Sequence, residues 1–147
     1  MKKLMIVAAL IASVQLAKAD VAWSTWLDNS SKVNFSFGIA ARCASVETFE
    51  LSLLYGGSPV QRGVQLSLLG INDSDKAQVL QLAPWFNRGD DSCVQLGFIN
   101  CASKNTFNLG LVNIADQSKI QLGFLNFNKN GLLPFFPFIN LDRSLFD

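Results

Sequence analysis

A seven-residue phrase occurs three times, at a constant interval, in the second half of this chain. Its copies are residues 94–100, 107–113 and 120–126. Copies of one phrase are expected to adopt the same local structure and to stack on one another, so this repeat constrains the fold more than any other feature. The residues that mark it are the glycines and asparagines Gly97, Gly110, Gly123, Asn100, Asn113 and Asn126.

Large apolar residues alternate with polar or small ones within each phrase, and this period of two is typical of a β-strand. The same alternation occurs in residues 34–40, 49–53, 64–68 and 80–83. The segments between these strands are rich in Gly, Asn, Asp and Ser, which accept the dihedral angles of turns. Turns are therefore predicted at residues 56–59, 72–75, 88–91, 102–105, 115–118 and 128–131.

The sequence thus predicts an all-β fold of about eight strands. The last strand holds Pro134 and Pro137, which cannot donate backbone hydrogen bonds, so it is expected at an edge or at the end of the array. If residues 94–100 form one straight strand, it is roughly 23 Å long. The short segment between one copy and the next reaches about 20 Å at most, too little to bring the chain back.

The strand-length argument favours an antiparallel meander that closes into a small barrel. The alternative is a short-coil β-solenoid, in which the phrase bends at Gly97 and asparagines 100, 113 and 126 stack as a ladder. In the meander, a straight strand would hold the Cα atoms of Cys93 and Cys101 roughly 26 Å apart. No disulfide is then expected between them, and any pairing would involve Cys43 or a second chain.

The two faces of the predicted strands differ sharply, and the sequence allows two orientations. Apolar residues pointing inward would give a soluble sandwich or barrel. Small and polar residues pointing inward, with apolar ones outward, is the pattern of an outer-membrane barrel. The low share of charged residues, 16%, and the abundance of Trp and Phe favour the second orientation, although the strands are short for a membrane span.

Residues 1–19 have the three parts of a secretory signal peptide: two lysines, an apolar run and a small-x-small cleavage site. Residues 20–33, with Trp23 and Trp26, are predicted to be an N-terminal lead-in, and residues 34–147 a single repetitive β domain. The processed chain would carry a net charge of −2 without any basic run, which gives no electrostatic basis for binding nucleic acid.

The repeat Val-Gln-Leu-Gly-x-x-Asn is closed at residues 130–140 by Asn-Gly-Leu-Leu-Pro-Phe-Phe-Pro-Phe-Ile-Asn. Together with Leu-Ser-Leu-Leu-Tyr-Gly-Gly at residues 51–57, these motifs resemble a family of bacterial surface-repeat proteins. The resemblance covers residues 35–140. It implies an exported, surface-exposed protein without an enzymatic activity, and it assigns no functional residues. The chain departs from the family pattern at residues 68–71 and 83–85, where the repeats carry insertions.

Catalytic chemistry has little support in this sequence. There is no histidine, and neither a nucleophile elbow, a phosphate loop nor a pair of carboxylates on one strand occurs. We therefore expect no enzyme, no cofactor, no metal and no small-molecule substrate. Arg88, Gly89 and Asp90 form an adhesive-type tripeptide on a predicted loop and are the candidate partner-binding residues.

Two functional hypotheses follow for the exported chain. The first is a structural or interaction protein of the cell surface or outer membrane, whose partners would be outer-membrane lipid or a surface protein. The alternative is a secreted or periplasmic binding module, or an adhesin, whose loops contact a partner.

Overall fold

The computed structural model describes residues 21–23 and 32–146, so the predicted signal peptide and Trp26 lie outside the described residues. A short 3-10 helix at Arg143–Leu145 follows the last strand. The strands are β1 Val21–Trp23, β2 Lys32–Ala41, β3 Ser45–Gly56, β4 Val60–Gln61, β5 Val64–Ser67, β6 Ile71–Leu82, β7 Phe86–Leu96, β8 Ile99–Leu109, β9 Val112–Asn128 and β10 Phe135–Leu141.

The strands β1 to β9 form a parallel β-solenoid of about six turns. Each pairing joins a strand to the next turn of the chain in parallel register, as Asn87 to Asn100 and Asn100 to Asn113. The last strand, β10, runs antiparallel to β9 and ends the array, as its prolines predicted. The described residues are thus all-β, as the alternation predicted.

The antiparallel meander and its closure into a barrel were wrong, and the solenoid alternative is correct. The strand-length argument failed at its premise, because residues 94–100 are not one straight strand. The chain bends at Gly97 and Phe98, between β7 and β8. The same bend removes the geometric argument against a bond between Cys93 and Cys101, although both are free thiols in the described structure.

Four of the predicted turns were also wrong, because residues 72–75, 88–91, 102–105 and 115–118 lie inside strands. In the part of β9 before Gly123 the buried side chains are Asn113, Ala115, Ser118 and Gln121. The spacing therefore changes from two residues to three, and this change places a corner inside a strand that remains hydrogen-bonded to its neighbours. Polar residues at such a corner do not interrupt the strand.

The interior of the solenoid is polar. Among the described residues the largest fully buried side chains are mostly glutamines and asparagines, including Gln95 and Asn100, and the cluster of buried apolar residues contains Val33, Cys43 and Val46. Large apolar side chains such as Leu109 lie outside. Of the two orientations considered for the sheet, polar-in is the one found, although the sheet is a solenoid.

The N-terminal lead-in contains more structure than the sequence predicted. Residues Val21–Trp23 form β1, which pairs with β2 in parallel and so continues the solenoid by part of a turn.

The two insertions foreseen at residues 68–71 and 83–85 enlarge the early turns. Gln65 is 16 residues from its hydrogen-bonded partner Gln81, and Asn72 is 15 residues from its partner Asn87, whereas Asn100 is 13 residues from Asn113. The turns therefore become smaller toward the C-terminal end of the solenoid, where the repeat is strict.

Candidate functional site: an apolar side over an amide-filled interior

Two ladders of side-chain amides fill the interior and hold neighbouring turns together. In the first, each asparagine donates a hydrogen bond from Nδ2 to Oδ1 of the asparagine in the next turn. The donor–acceptor distances are 3.1 Å for Asn72 to Asn87, 2.9 Å for Asn87 to Asn100, 2.9 Å for Asn100 to Asn113 and 2.7 Å for Asn113 to Asn126. Since the amides are buried, these bonds are needed to offset the loss of water.

The second ladder consists of glutamines and is interrupted. Gln95 donates to Gln81 at 2.7 Å, and Gln81 donates to Gln65 at 2.9 Å. The equivalent position in the next turn is Asn108, whose side chain is one methylene shorter. Its amide makes no hydrogen bond, and Oε1 of Gln95 in the preceding turn also accepts none. The missing methylene therefore leaves several buried polar atoms without partners.

We expect Asn108→Gln to stabilise the fold by about 1 kcal/mol, because the longer side chain can donate to Gln95 and accept from Gln121. The free energy of unfolding, measured by urea denaturation, reports the gain.

The matched control is Asn113→Gln, at a rung whose bonds are already complete. There the added methylene overpacks the interior and is expected to cost about 1–3 kcal/mol. If Asn108→Gln and Asn113→Gln changed the free energy of unfolding equally, the conclusion that the glutamine ladder is interrupted at Asn108 would be wrong.

The repeat glycines have a steric role beside the asparagine ladder. A Cβ atom at Gly110 would lie 2.2 Å from the carbonyl oxygen of Gly97 and 2.5 Å from Nδ2 of Asn100. Gly97 and Gly123 meet the same two groups of their own preceding turns. The larger early turns hold Ser67 and Ala83 at this position. Glycine is thus required in the smaller turns, where the backbones of neighbouring turns approach most closely.

Outside, one side of the solenoid is entirely apolar, and we call it the apolar side. It consists of four columns of outward residues, with one member of each column in each of the last four turns. The columns are Leu80, Val94, Phe107 and Ile120; Leu82, Leu96, Leu109 and Leu122; Trp85, Phe98, Leu111 and Phe124; and Phe86, Ile99, Val112 and Leu125.

The third column projects as a ridge from the corner at which the chain bends. The exposed fractions of Trp85 and Phe124 are 61% and 62%, and the rings of Trp85 and Phe98 stack with centroids 5.5 Å apart. Between this ridge and the leucine column lies a groove of about 510 Å³, with the small residues of the bend as its floor. Its lining comes from residues 82–84, 96–98 and 109–111.

Phe138 extends the ridge at the cost of backbone strain. It is the one described non-glycine residue with a positive φ, 68°, and a bulge of β10 lies between Phe136 and Phe138. Its ring contacts that of Phe124 edge-on at 6.0 Å and is 69% exposed. A bulky residue rarely adopts this conformation, which costs on the order of 1–3 kcal/mol. Because the Phe138 ring is exposed, burial of the ring does not offset this strain. The strain therefore marks the ridge as an unusual part of the surface.

The opposite side of the solenoid is charged. Its corner residues include Asp75, Lys76, Asp90, Asp91, Lys104 and Asp116. The adhesive-type tripeptide lies here, but in strand β7 and not on a loop, so that placement was wrong. Gly89 points inward and is buried. Arg88 faces Asp73 at 3.9 Å, and a shallow polar depression of about 270 Å³ separates these residues from Asp116.

One buried carboxyl group stands at the beginning of the glutamine ladder. Glu50 accepts hydrogen bonds from Nε2 of Gln65, at 2.6 Å, and from the hydroxyl of Ser58. Burial raises the pKa of Glu50 to about 7, although both hydrogen bonds act to lower it. The sequence pattern placed Glu50 on the polar face but did not identify that face as the interior.

Catalytic or metal-binding geometry does not emerge from the described residues. No group of three or more His, Cys, Asp or Glu side chains within residues 21–23 and 32–146 is placed to hold a metal ion. Among the helices of that same part of the chain, none is long and apolar enough to cross a membrane. Comparison with protein-family models, with curated proteins and with solved structures finds no match to this chain.

The structural role of the repeat residues follows from this geometry: the asparagines bond the turns, and the glycines let them approach. Sequence reasoning missed the ridge, although a signal for it existed. Phe98, Leu111 and Phe124 each follow a repeat glycine directly, so they recur at the same interval as the glycines.

Proposed function

We propose that this chain is an exported, non-enzymatic protein of the cell surface or outer membrane, and that its structural or interaction role is performed through the apolar side. One observation carries the proposal: four adjacent columns of large apolar side chains lie outside a fold whose interior is polar. A soluble monomer rarely exposes a contiguous apolar patch of more than a few hundred square ångströms, and larger patches mark surfaces that contact a protein or a membrane.

The distribution of charge supports the same assignment. Many of the charged side chains, among them Asp75, Lys76, Asp90, Asp91, Lys104 and Asp116, lie at the corner away from the apolar columns. Such segregation orients a molecule, with one side toward water and the other toward an apolar partner. The signal-peptide pattern of residues 1–19 directs the chain to the compartment where that partner would be found.

The test is fractionation of a bacterium with an outer membrane that expresses the chain with its own leader. We expect processing after Ala19, detected by mass spectrometry, and recovery of the processed chain in the envelope fraction. A variant with Phe98→Ser and Phe124→Ser should shift to the soluble fraction, because two exposed rings of the ridge are removed.

The control variant changes two exposed apolar residues outside the apolar side, Val79→Ser and Ile114→Ser, and should fractionate like the parent. An unprocessed parent chain in the cytoplasm would refute export. A processed, soluble extracellular monomer would instead support the secreted binding module.

A further inference from the structure

We infer that the partner of the apolar side is a second copy of this chain, packed ridge into groove across a two-fold axis. This inference rests on the proposed function, since it names the partner of the same surface.

The shape of the apolar side is self-complementary. A ridge and a groove run side by side along the solenoid, and both repeat at the strand spacing of about 4.8 Å because both arise from the same turns. When a second copy is turned by 180° about an axis that lies in the interface, parallel to the solenoid and midway between ridge and groove, its ridge lies over the groove of the first. Each surface then supplies both halves of the contact, which is what an isologous interface requires.

The exposed area is sufficient for a stable dimer. Trp85, Phe124 and Phe138 are about 60–70% exposed, and Phe98, Leu109 and Leu111 about half. An aromatic side chain has roughly 150–250 Å² to bury, so these residues and their neighbours present on the order of 1,000 Å² per copy. A standard specific interface buries about 800 Å² on each partner.

Charge favours a second copy over a lipid surface. The core of a protein interface is depleted in charged residues, and the four columns contain none. Two copies can therefore meet without desolvating an unpaired charge. A protein that lies in a membrane interface commonly flanks its apolar face with lysine and arginine, which attract anionic lipid. Here the cations nearest the columns are single, Arg88, which faces Asp73 at 3.9 Å, and Lys119. Many of the other charged residues lie at the corner away from the columns and include several aspartates.

The backbone geometry of β10 adds an independent observation. The bulge and the positive φ of Phe138 place one more aromatic ring in the ridge, after the strand direction has reversed. Strain of this kind persists only where the surrounding structure imposes it, and it is concentrated at functional positions. A longer ridge fills more of the partner's groove.

The test is analytical ultracentrifugation of the processed chain over a dilution series, without detergent. We expect a reversible dimer with a dissociation constant on the order of micromolar or tighter. The Phe98→Ser, Phe124→Ser variant should raise that constant by at least roughly 30-fold, as loss of one interface hot spot does. The Val79→Ser, Ile114→Ser variant should leave it unchanged, and far-UV circular dichroism checks that each variant is folded.

A parent chain that stays monomeric across the series overturns the inference, even if a variant fails to fold. Flotation with vesicles of phosphatidylethanolamine and phosphatidylglycerol distinguishes the competing partner: a monomer that floats assigns the apolar side to lipid. That outcome leaves the proposed function standing. Conversely, a dimer formed by a chain that is not exported would refute the proposed function alone.

Discussion

Replacing Gly110 by alanine is expected to destabilise the fold by about 3 kcal/mol, a large part of the roughly 5–15 kcal/mol of a typical domain. The added Cβ atom would lie 2.2 Å from the carbonyl oxygen of Gly97, a backbone atom that cannot move without its turn. The amide of Gly110 donates to Leu122 at 3.0 Å, so moving the glycine itself would break a bond between turns. Urea denaturation followed by far-UV circular dichroism measures the loss.

Gly89→Ala is the matched control for this glycine. A Cβ atom at Gly89 would meet only side-chain atoms, the nearest being Oε1 of Gln81 and Cβ of Ser92, both at 3.1 Å. The equivalent positions in the next two turns already hold Ala102 and Ala115. We expect a change within about 0.5 kcal/mol. If Gly110→Ala and Gly89→Ala changed the free energy of unfolding equally, the conclusion that the turns approach too closely at Gly110 for a side chain would be wrong.

Glu50→Gln is expected to stabilise the protein much more at pH 8 than at pH 5. The pKa of Glu50 is about 7 in the fold against an ordinary value of 4.5, so the folded state holds its proton more tightly than the unfolded chain does. The stability from this group is fully present below pH 4.5 and is lost as the pH rises through 7. The loss amounts to about 3 kcal/mol.

The glutamine variant cannot ionise, and an amide fits the end of an amide ladder. The difference in unfolding free energy between variant and parent should therefore grow from about 1 kcal/mol at pH 5 to about 3 kcal/mol at pH 8. Glu47→Gln is the control, since Glu47 is part of an exposed ion pair with Arg62 at 2.7 Å. Its effect should stay within about 1 kcal/mol at both pH values. A difference for Glu50→Gln that does not vary with pH would show that this carboxyl group is not protonated in the fold.

The two substitutions test separate requirements of a polar interior. The glycines determine how closely neighbouring turns approach. Glu50 shows how much stability is lost when a buried group at the beginning of a neutral amide ladder ionises. The amide ladders themselves are a feature of stacked parallel strands, in which identical side chains lie above one another. In such a stack the hydrogen bonds between turns form only where the same side chain recurs in each turn. In the glutamine ladder Asn108 departs from that repeat, and the hydrogen bonds are missing there.

The sequence by itself determined the strand content, the length of the repeating unit and the segregation of apolar from polar side chains. All three follow from local periodicity, which reports the faces of a strand wherever the chain is extended. The repeat asparagines were also correctly foreseen as a ladder, although only within the less favoured fold. The closing prolines correctly indicated the end of the array.

Only the tertiary structure decided how the strands are connected. Periodicity cannot distinguish a straight strand from one that turns a corner, because a single shift in side-chain spacing from two to three is enough to bend it. That shift occurs between Ala115 and Ser118, among residues that also suit a turn. The bend at Gly97 then lets one short repeat return to its starting edge, so the next turn pairs in parallel.

The tertiary structure likewise decided which face is the interior. The parallel stacking of the turns places the polar faces inside, where the same side chain of successive turns lies one above another, as in Asn87, Asn100 and Asn113. Amides fit, and across turns they satisfy one another's hydrogen bonds. The apolar residues are consequently left outside, on the side to which we assign the protein's function.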